Sequence, residues 1–202
     1  MEDRLVLENR HSGEIVRLLR VRHADGATSL RIDGSLPPHS SGPPPHIHWR
    51  EHEEGTVRTG SLGFRCKGET SVVPAGGSAV FPAGAVHAWW NAGEDLLQFS
   101  GRLVPAVDLD RFLQGIFAVL NAGPAGRPPL FFMAHVLWRH RRTQALASPP
   151  VAVQRMIVPL VVLLGHTLGK YRGEAWPGSP ASCTGAPESV EEARPSLQRA
   201  AS

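Results

Sequence analysis

Cysteine is nearly absent from this chain: of 202 residues only Cys66 and Cys183 carry a thiol. Such a pair builds no disulfide framework, which excludes a disulfide-stapled secreted scaffold and fits a reducing compartment. Long apolar runs are missing as well. The one membrane-like stretch, Met156–Gly165, contains Pro159 and is bounded by Gln154, Arg155 and His166. Crossing a bilayer takes about 20 apolar residues, so no membrane span is expected, and this stretch reads as a buried or partner-facing helix. There is no strong field of one charge sign either. The formal net charge is +3, and no basic stripe is interleaved with aromatics, which argues against nucleic acid as a partner. Met1-Glu2-Asp3-Arg4 lacks the apolar core of a secretory signal, so the expected location is the cytoplasm.

Glycine and proline, by contrast, are plentiful, at 21 and 18. With them come short β-branched and aliphatic runs, the pattern of a barrel or sandwich of many short strands. The expected strands are Arg4–Glu8, Glu14–Arg22, Thr28–Ile32, Glu54–Thr59, Leu62–Cys66, Ser71–Val73, Ala79–Phe81, Val86–Trp90 and Leu96–Leu103. A polar, proline-rich loop is expected from Gly34 to Pro45. Val73-Pro74-Ala75-Gly76 and Phe81-Pro82-Ala83-Gly84 share one construction, which suggests type I turns.

The pattern changes at Asp108. That residue is placed to cap a helix bearing Phe112, Leu113, Ile116, Phe117 and Leu120, stopped by Gly123. A second helix is expected from Leu130 to about Ala147. A third should start at Ser148-Pro149-Pro150, with Ser148 as its cap. The division that follows is a β-barrel over 1–104, a helical extension over 105–174 on the barrel or at a dimer interface, and a disordered tail over 175–202. The apolar helix faces (Phe112, Ile116, Phe117, Phe131, Val158, Val162) need covering, and a homodimer is the expected arrangement.

The segment that carries chemistry is Pro45-His46-Ile47-His48-Trp49-Arg50-Glu51-His52-Glu53. Strand alternation points His46 and His48 to one face. Glu53 would fall on the other face, so a bend or bulge is needed within Trp49–His52. A second segment brings His87 on a separate strand, just after a tight turn. Three imidazoles and a carboxylate suit one divalent transition metal, with iron leading and Mn, Ni, Cu or Zn as the others. Calcium and magnesium prefer all-oxygen sites.

These two segments resemble the paired signatures of the cupin superfamily. His46, His48, Glu53 and Gly60 fit the first signature, although its leading glycine is displaced by the proline run. Gly76, Pro82, Gly84, His87 and Asn91 fit the second, and Ser61–Ala75 separates them. More loosely, the helical extension is similar to those of bacterial cupin-2 proteins. The resemblance implies a mainly β, jelly-roll-like cupin barrel (a double-stranded β-helix) followed by about three α-helices. His46, His48, Glu53 and His87 would hold the metal.

The superfamily includes oxygenases, isomerases, decarboxylases, cyclases and non-catalytic binding proteins, so the fold leaves the activity open. The leading expectation is an oxygenase acting on a small aromatic or otherwise apolar molecule. The rivals are a non-redox cyclase, isomerase or lyase, and a binding protein without turnover. Glu53 would be a ligand, or a catalytic general base. Gly55, Val57 and Trp89 share the inward faces of their strands with ligands, and Trp49 would stand at the mouth of the same substrate pocket. Where relatives carry an aromatic, Gly55 either leaves room for substrate or serves a bulge. The other histidines have quieter readings: His52 behind the ligands or at the surface, His39 exposed, and His135, His140 and His166 at helix surfaces or ends. Cys66 reads as a small core residue.

Overall fold

In a computed structural model of the chain, residues 4–125 and 127–172 are described. The expected tail over 175–202 lies outside them. Ten strands come first: β1 (Leu5–Asn9), β2 (Glu14–Arg22), β3 (Thr28–Leu36), β4 (His46–His48), β5 (His52–Thr59), β6 (Ser61–Cys66), β7 (Glu69–Pro74), β8 (Ser78–Phe81), β9 (His87–Asn91) and β10 (Leu97–Val104). Then follow α1 (Leu109–Ala122), α2 (Leu130–His140), a short strand β11 (Gln144–Leu146) and α3 (Val151–Thr167). The chain is thus mainly β, two antiparallel sheets with three helices after them, as the sequence led us to expect.

One sheet runs β1-β2-β3-β10-β5-β8 and the other β11-β4-β9-β6-β7. Their inner faces enclose two apolar clusters. Val16, Leu18, Leu30, Ile32 and Leu103 form one, with Leu109 and Phe117 of α1 packed onto it. Leu36, Val57, Leu62, Ala79, Phe81 and Leu97 form the other, next to Trp89 and Phe99. Leu18, Leu30, Leu36, Leu97 and Leu103 are each at most 1% exposed. Each such side chain contributes about 1.5–3 kcal/mol by leaving water.

Several boundaries differ from expectation, each for a physical reason. β3 runs on through Gly34, Ser35 and Leu36 because Leu36 enters the core and β10 pairs with all three. In both proline turns the hydrogen bond closes one residue later than expected, from Gly77 N–H to Pro74 O and from Ala85 N–H to Pro82 O. Gly76 and Gly84 are then the third residues, with φ of +85° and +78°. A positive φ at that position is the demand of a type II turn.

Asp108 stands at the start of α1 but makes no side-chain capping bond. Its Oδ2 instead accepts from His140 Nδ1 at 2.7 Å, which ties α1 to α2 and buries His140. Ser148 does not cap α3, whose first flanking residue is Pro150. α2 stops at His140 rather than near Ala147, because Gln144–Leu146 is drawn into pairing with β4. That pairing makes the segment after the barrel part of the barrel's second sheet.

Candidate metal centre

The proline run delivers the chain into β4 in extended form, and alternation then sets His46 and His48 on one face. β9, next to β4, carries His87 opposite His46. Between His48 and His52 the chain bends and crosses from one sheet to the other, so Glu53 on β5 approaches the three imidazoles from the facing sheet. The break expected there is a change of sheet, not a bulge within one strand. The second segment is locked to the first by Gly84 N–H, which donates to His48 O at 2.7 Å.

The four side chains converge. One ligand atom from each of His46, His48, Glu53 and His87 lies within 4.8 Å of the others. His46 Nε2 is 3.2 Å from His48 Nε2, and Glu53 Oε2 is 3.2 Å from His48 Nε2 and 3.4 Å from His87 Nε2. Each imidazole is anchored through its other nitrogen. His46 Nδ1 donates to Pro44 O at 2.9 Å and His87 Nδ1 to Ala85 O at 3.0 Å. His48 Nδ1 donates to the amide oxygen of Gln144. With Nδ1 carrying the proton, each Nε2 turns a lone pair toward the common centre, the tautomer that a metal requires. His87 Nε2 is buried with no hydrogen-bond partner. An orphaned imidazole nitrogen in that position is costly unless a cation meets it, so the donor set fits a divalent transition metal.

Electrostatics agree with the geometry. Burial, with His48 and His87 close by, pushes His46 down to about 3, which keeps it neutral and available. Burial alone would depress His48, but the Glu53 carboxylate outweighs it and holds His48 above the ordinary imidazole range. Burial alone would raise Glu53, but the imidazoles of His48 and His87, 3.2 and 3.4 Å from its Oε2, hold it well below the usual carboxylate range. The site therefore presents an ionised carboxylate among imidazoles. His48 and His87 are nearly closed off, while the Glu53 side chain keeps 17% exposure and His46 is half-buried.

The expected pocket residues are distributed unevenly. Gly55 shares the face of Glu53, pairs with Gly101 on β10, and has no positive φ. A Cβ built there would meet only Ser100 O, at 3.8 Å. The β5–β10 register is regular at that point. The backbone therefore gives no reason for a glycine at position 55, whereas at its partner Gly101 a Cβ would meet Glu54 O at 2.8 Å. Val57 is 1% exposed within the second apolar cluster. Trp89 packs edge-on against Phe99, ring centroids 5.0 Å apart, and Phe81 stacks on His87 at 4.6 Å. Trp49 is half-buried at the exit from β4, with its backbone N–H on Thr143 O. An open groove of about 580 Å³ lies on the outer face of the six-stranded sheet, lined by Arg31, Thr56, Ser78 and Arg102 and floored by Gly55 and Gly101.

Sequence reasoning missed three residues here. Gln144 lies 96 positions from His48, and nothing local marks it. Glu51 is fully buried and accepts from Gln144 Nε2 at 2.6 Å and from Val107 N–H at 3.0 Å. Its only signal was being a carboxylate between two signature residues. Gly101 could have been found by asking which inward position of β10 faces Gly55. Away from the site, His52 is exposed and His39 pairs with Glu94 on the surface, whereas His140 is buried against Asp108. Asn91 of the second signature ties two loops together, donating to the carbonyls of Leu36 and Asp95.

Residues 34–101 match the family described as Cupin domain. Solved structures with a partial likeness include a predicted oxalate decarboxylase from Thermotoga maritima, 23% identical over 52% of this chain and 93% of that one, with a TM-score of 0.41. KdgF from Halomonas sp. is 19% identical over 54% of this chain and 90% of its own, with a TM-score of 0.43. An RmlC-like cupin from Shewanella frigidimarina is 18% identical over 52% and 86%, with a TM-score of 0.43. No curated protein matches. The family match over residues 34–101, the two-sheet architecture and a His/Glu group that could hold a metal ion agree, and this stretch of the chain is a cupin domain.

Proposed function

We propose that this protein is a metal-dependent enzyme acting on a small aromatic or otherwise apolar molecule, with oxygenation as the leading reaction. The observation that carries the reading is the convergence of three Nδ1-anchored imidazoles and one ionised carboxylate, with a buried, unpartnered His87 Nε2 among them. His46, His48, Glu53 and His87 would hold one divalent transition metal, iron by preference. Such an ion supplies Lewis acidity and, where redox-active, a route for electrons to O2. The chain's residues do the rest. His46 stays neutral, each imidazole is oriented through its Nδ1, and Phe81 stacks on His87. Glu53, more accessible than His48 or His87, would be a ligand or would accept a proton from an approaching substrate. The room beside Gly55, where a Cβ would meet only Ser100 O at 3.8 Å, supports an apolar ligand there.

The deciding measurement is oxygen uptake by iron-loaded protein against a library of small aromatic compounds. An oxygenase consumes O2, stops under nitrogen and is silent with zinc. Equal turnover without O2 would replace this reading with a cyclase, isomerase or lyase on the same ligands. Binding without turnover in either atmosphere would leave a binding protein.

The same reading includes a homodimer in the cytoplasm, for which the scarcity of cysteine is the support. No helix among the described residues is long and apolar enough to cross a membrane. Yet α3, with Leu168 just past its end, turns Met156, Ile157, Leu160, Leu163, Leu164 and Leu168 outward, each more than half exposed. Such a face exposes on the order of 700 Å² per chain, near the ~800 Å² that each partner gives to a standard interface. Its residues recur at helical spacing along one side, so a second copy's α3 fits it across a two-fold axis.

A further inference from the structure

β11 lies at the edge of the second sheet, paired with β4 along its whole length: Gln144 opposite His48, Ala145 opposite Ile47, Leu146 opposite His46. Backbone bonds extend the contact at both ends, from Trp49 N–H to Thr143 O at 2.8 Å and from Ala147 N–H to Pro45 O at 2.8 Å. The segment after the barrel is thus laid directly against the strand that carries two of the four candidate ligands. Its one polar side chain pointing into the barrel there, Gln144, is 3% exposed.

The Gln144 amide has two different neighbours, and they fix its orientation. Its oxygen accepts from His48 Nδ1, and its Nε2 donates to Glu51 Oε2 at 2.6 Å. A rotated amide would face a donor with a donor and a carboxylate with an oxygen. Glu51, with no exposed surface, is held in turn by Val107 N–H at the start of the extension. The negative charge of Glu51 thus reaches His48 through a polarised amide, which holds the proton on Nδ1 and makes Nε2 a better donor.

We propose that Gln144 is a positioning residue of the metal centre, acting through His48 and anchored by Glu51, so that the segment after the barrel completes the site. The proposal rests on the reading that the site holds a metal. Its test is cobalt(II) binding to the full-length chain, followed by chelator competition and by the visible absorption of the bound ion. Wild type should bind one Co(II). Gln144→Leu should weaken binding by roughly 10–100-fold and shift the absorption, with far-UV circular dichroism unchanged. Glu51→Gln should do the same, because an amide that accepts from Val107 turns its own NH2 toward that of Gln144.

Combining Glu51→Gln with Gln144→Glu exchanges acid and amide while keeping every hydrogen bond in the chain. The double variant should recover wild-type affinity or exceed it. Recovery separates bond polarity from mere filling of space, and it decides the matter even if Gln144→Leu does not fold. Affinity within twofold of wild type in Gln144→Leu, or a double variant as weak as either single, overturns the role of Gln144 and leaves the metal reading intact. A wild type that binds no Co(II) overturns both.

Discussion

His46 and His87 face each other in register where β4 meets β9, their ring centroids 4.2 Å apart and their planes at 55°. β4 and β9 pair at that position alone. Two imidazoles held side by side by the backbone, with His48 two residues along and Glu53 arriving from the other sheet, form a site that spans the barrel. An ion held there would cross-link the two sheets, so its binding free energy would add to folding stability.

Metal uptake is the first consequence. One equivalent of transition metal should bind per chain, and His87→Ala or His46→Ala should abolish most of it. At a free metal concentration of 100 times Kd, wild type gains about 2.7 kcal/mol of stability, read as a rise in Tm, and the alanine variants gain none. Affinity should fall as pH drops, because His48 is held above its ordinary range by Glu53 and must release its proton to bind. An unchanged Tm across all metals tested would defeat the site.

Glu14 supplies a pH dependence remote from the metal. Burial alone pushes its carboxyl up to about 7. A carboxyl whose folded value lies above its unfolded one costs nothing while both states are protonated. The cost grows as pH rises from about 4.5 and is complete above about 7. Glu14→Gln should therefore stabilise the protein at pH 8 by up to about 3 kcal/mol, and by nothing measurable at pH 4. Urea midpoints at the two pH values check this, and equal midpoint shifts would contradict it.

The outward face of α3 predicts assembly. Leu160→Glu combined with Leu163→Glu, both at exposed positions, should convert a dimer to a monomer without loss of Co(II) binding. Light scattering after size exclusion gives the mass. A wild type that runs as a monomer at micromolar concentration would refute the two-fold contact.

Gly55 tests the pocket. Gly55→Ala should be tolerated, since a Cβ there has room, and it should stabilise by up to about 1 kcal/mol through the lost freedom of the unfolded chain. Gly55→Phe should keep the metal and weaken binding or turnover of a small aromatic ligand at least tenfold. Loss of metal in Gly55→Phe would show that the glycine protects the site's packing instead.

The barrel strands were legible because each carries its own signal: alternating aliphatic side chains and turn residues whose constraints act over two to four positions. The ligand quartet was legible for the same reason, since spacing along two short segments states which imidazoles share a face. Helix ends were read less well. Asp108 looked like a cap and serves His140, a partner 32 residues away. α2 looked longer than it is because Gln144–Leu146 has no feature that distinguishes a helix end from a strand until β4 offers it an edge.

By itself, then, the sequence determined the two-sheet fold and the identity of the four candidate ligands, both products of local pattern. Tertiary structure alone decided what surrounds them. It brought Glu53 across from the facing sheet, set Gly101 against Gly55, left one face of α3 bare and carried Gln144 and Glu51 to His48. Contacts such as Glu53 with His87, Gly55 with Gly101 and His48 with Gln144 are chosen by which surfaces meet when the core closes, and no local spacing encodes that choice.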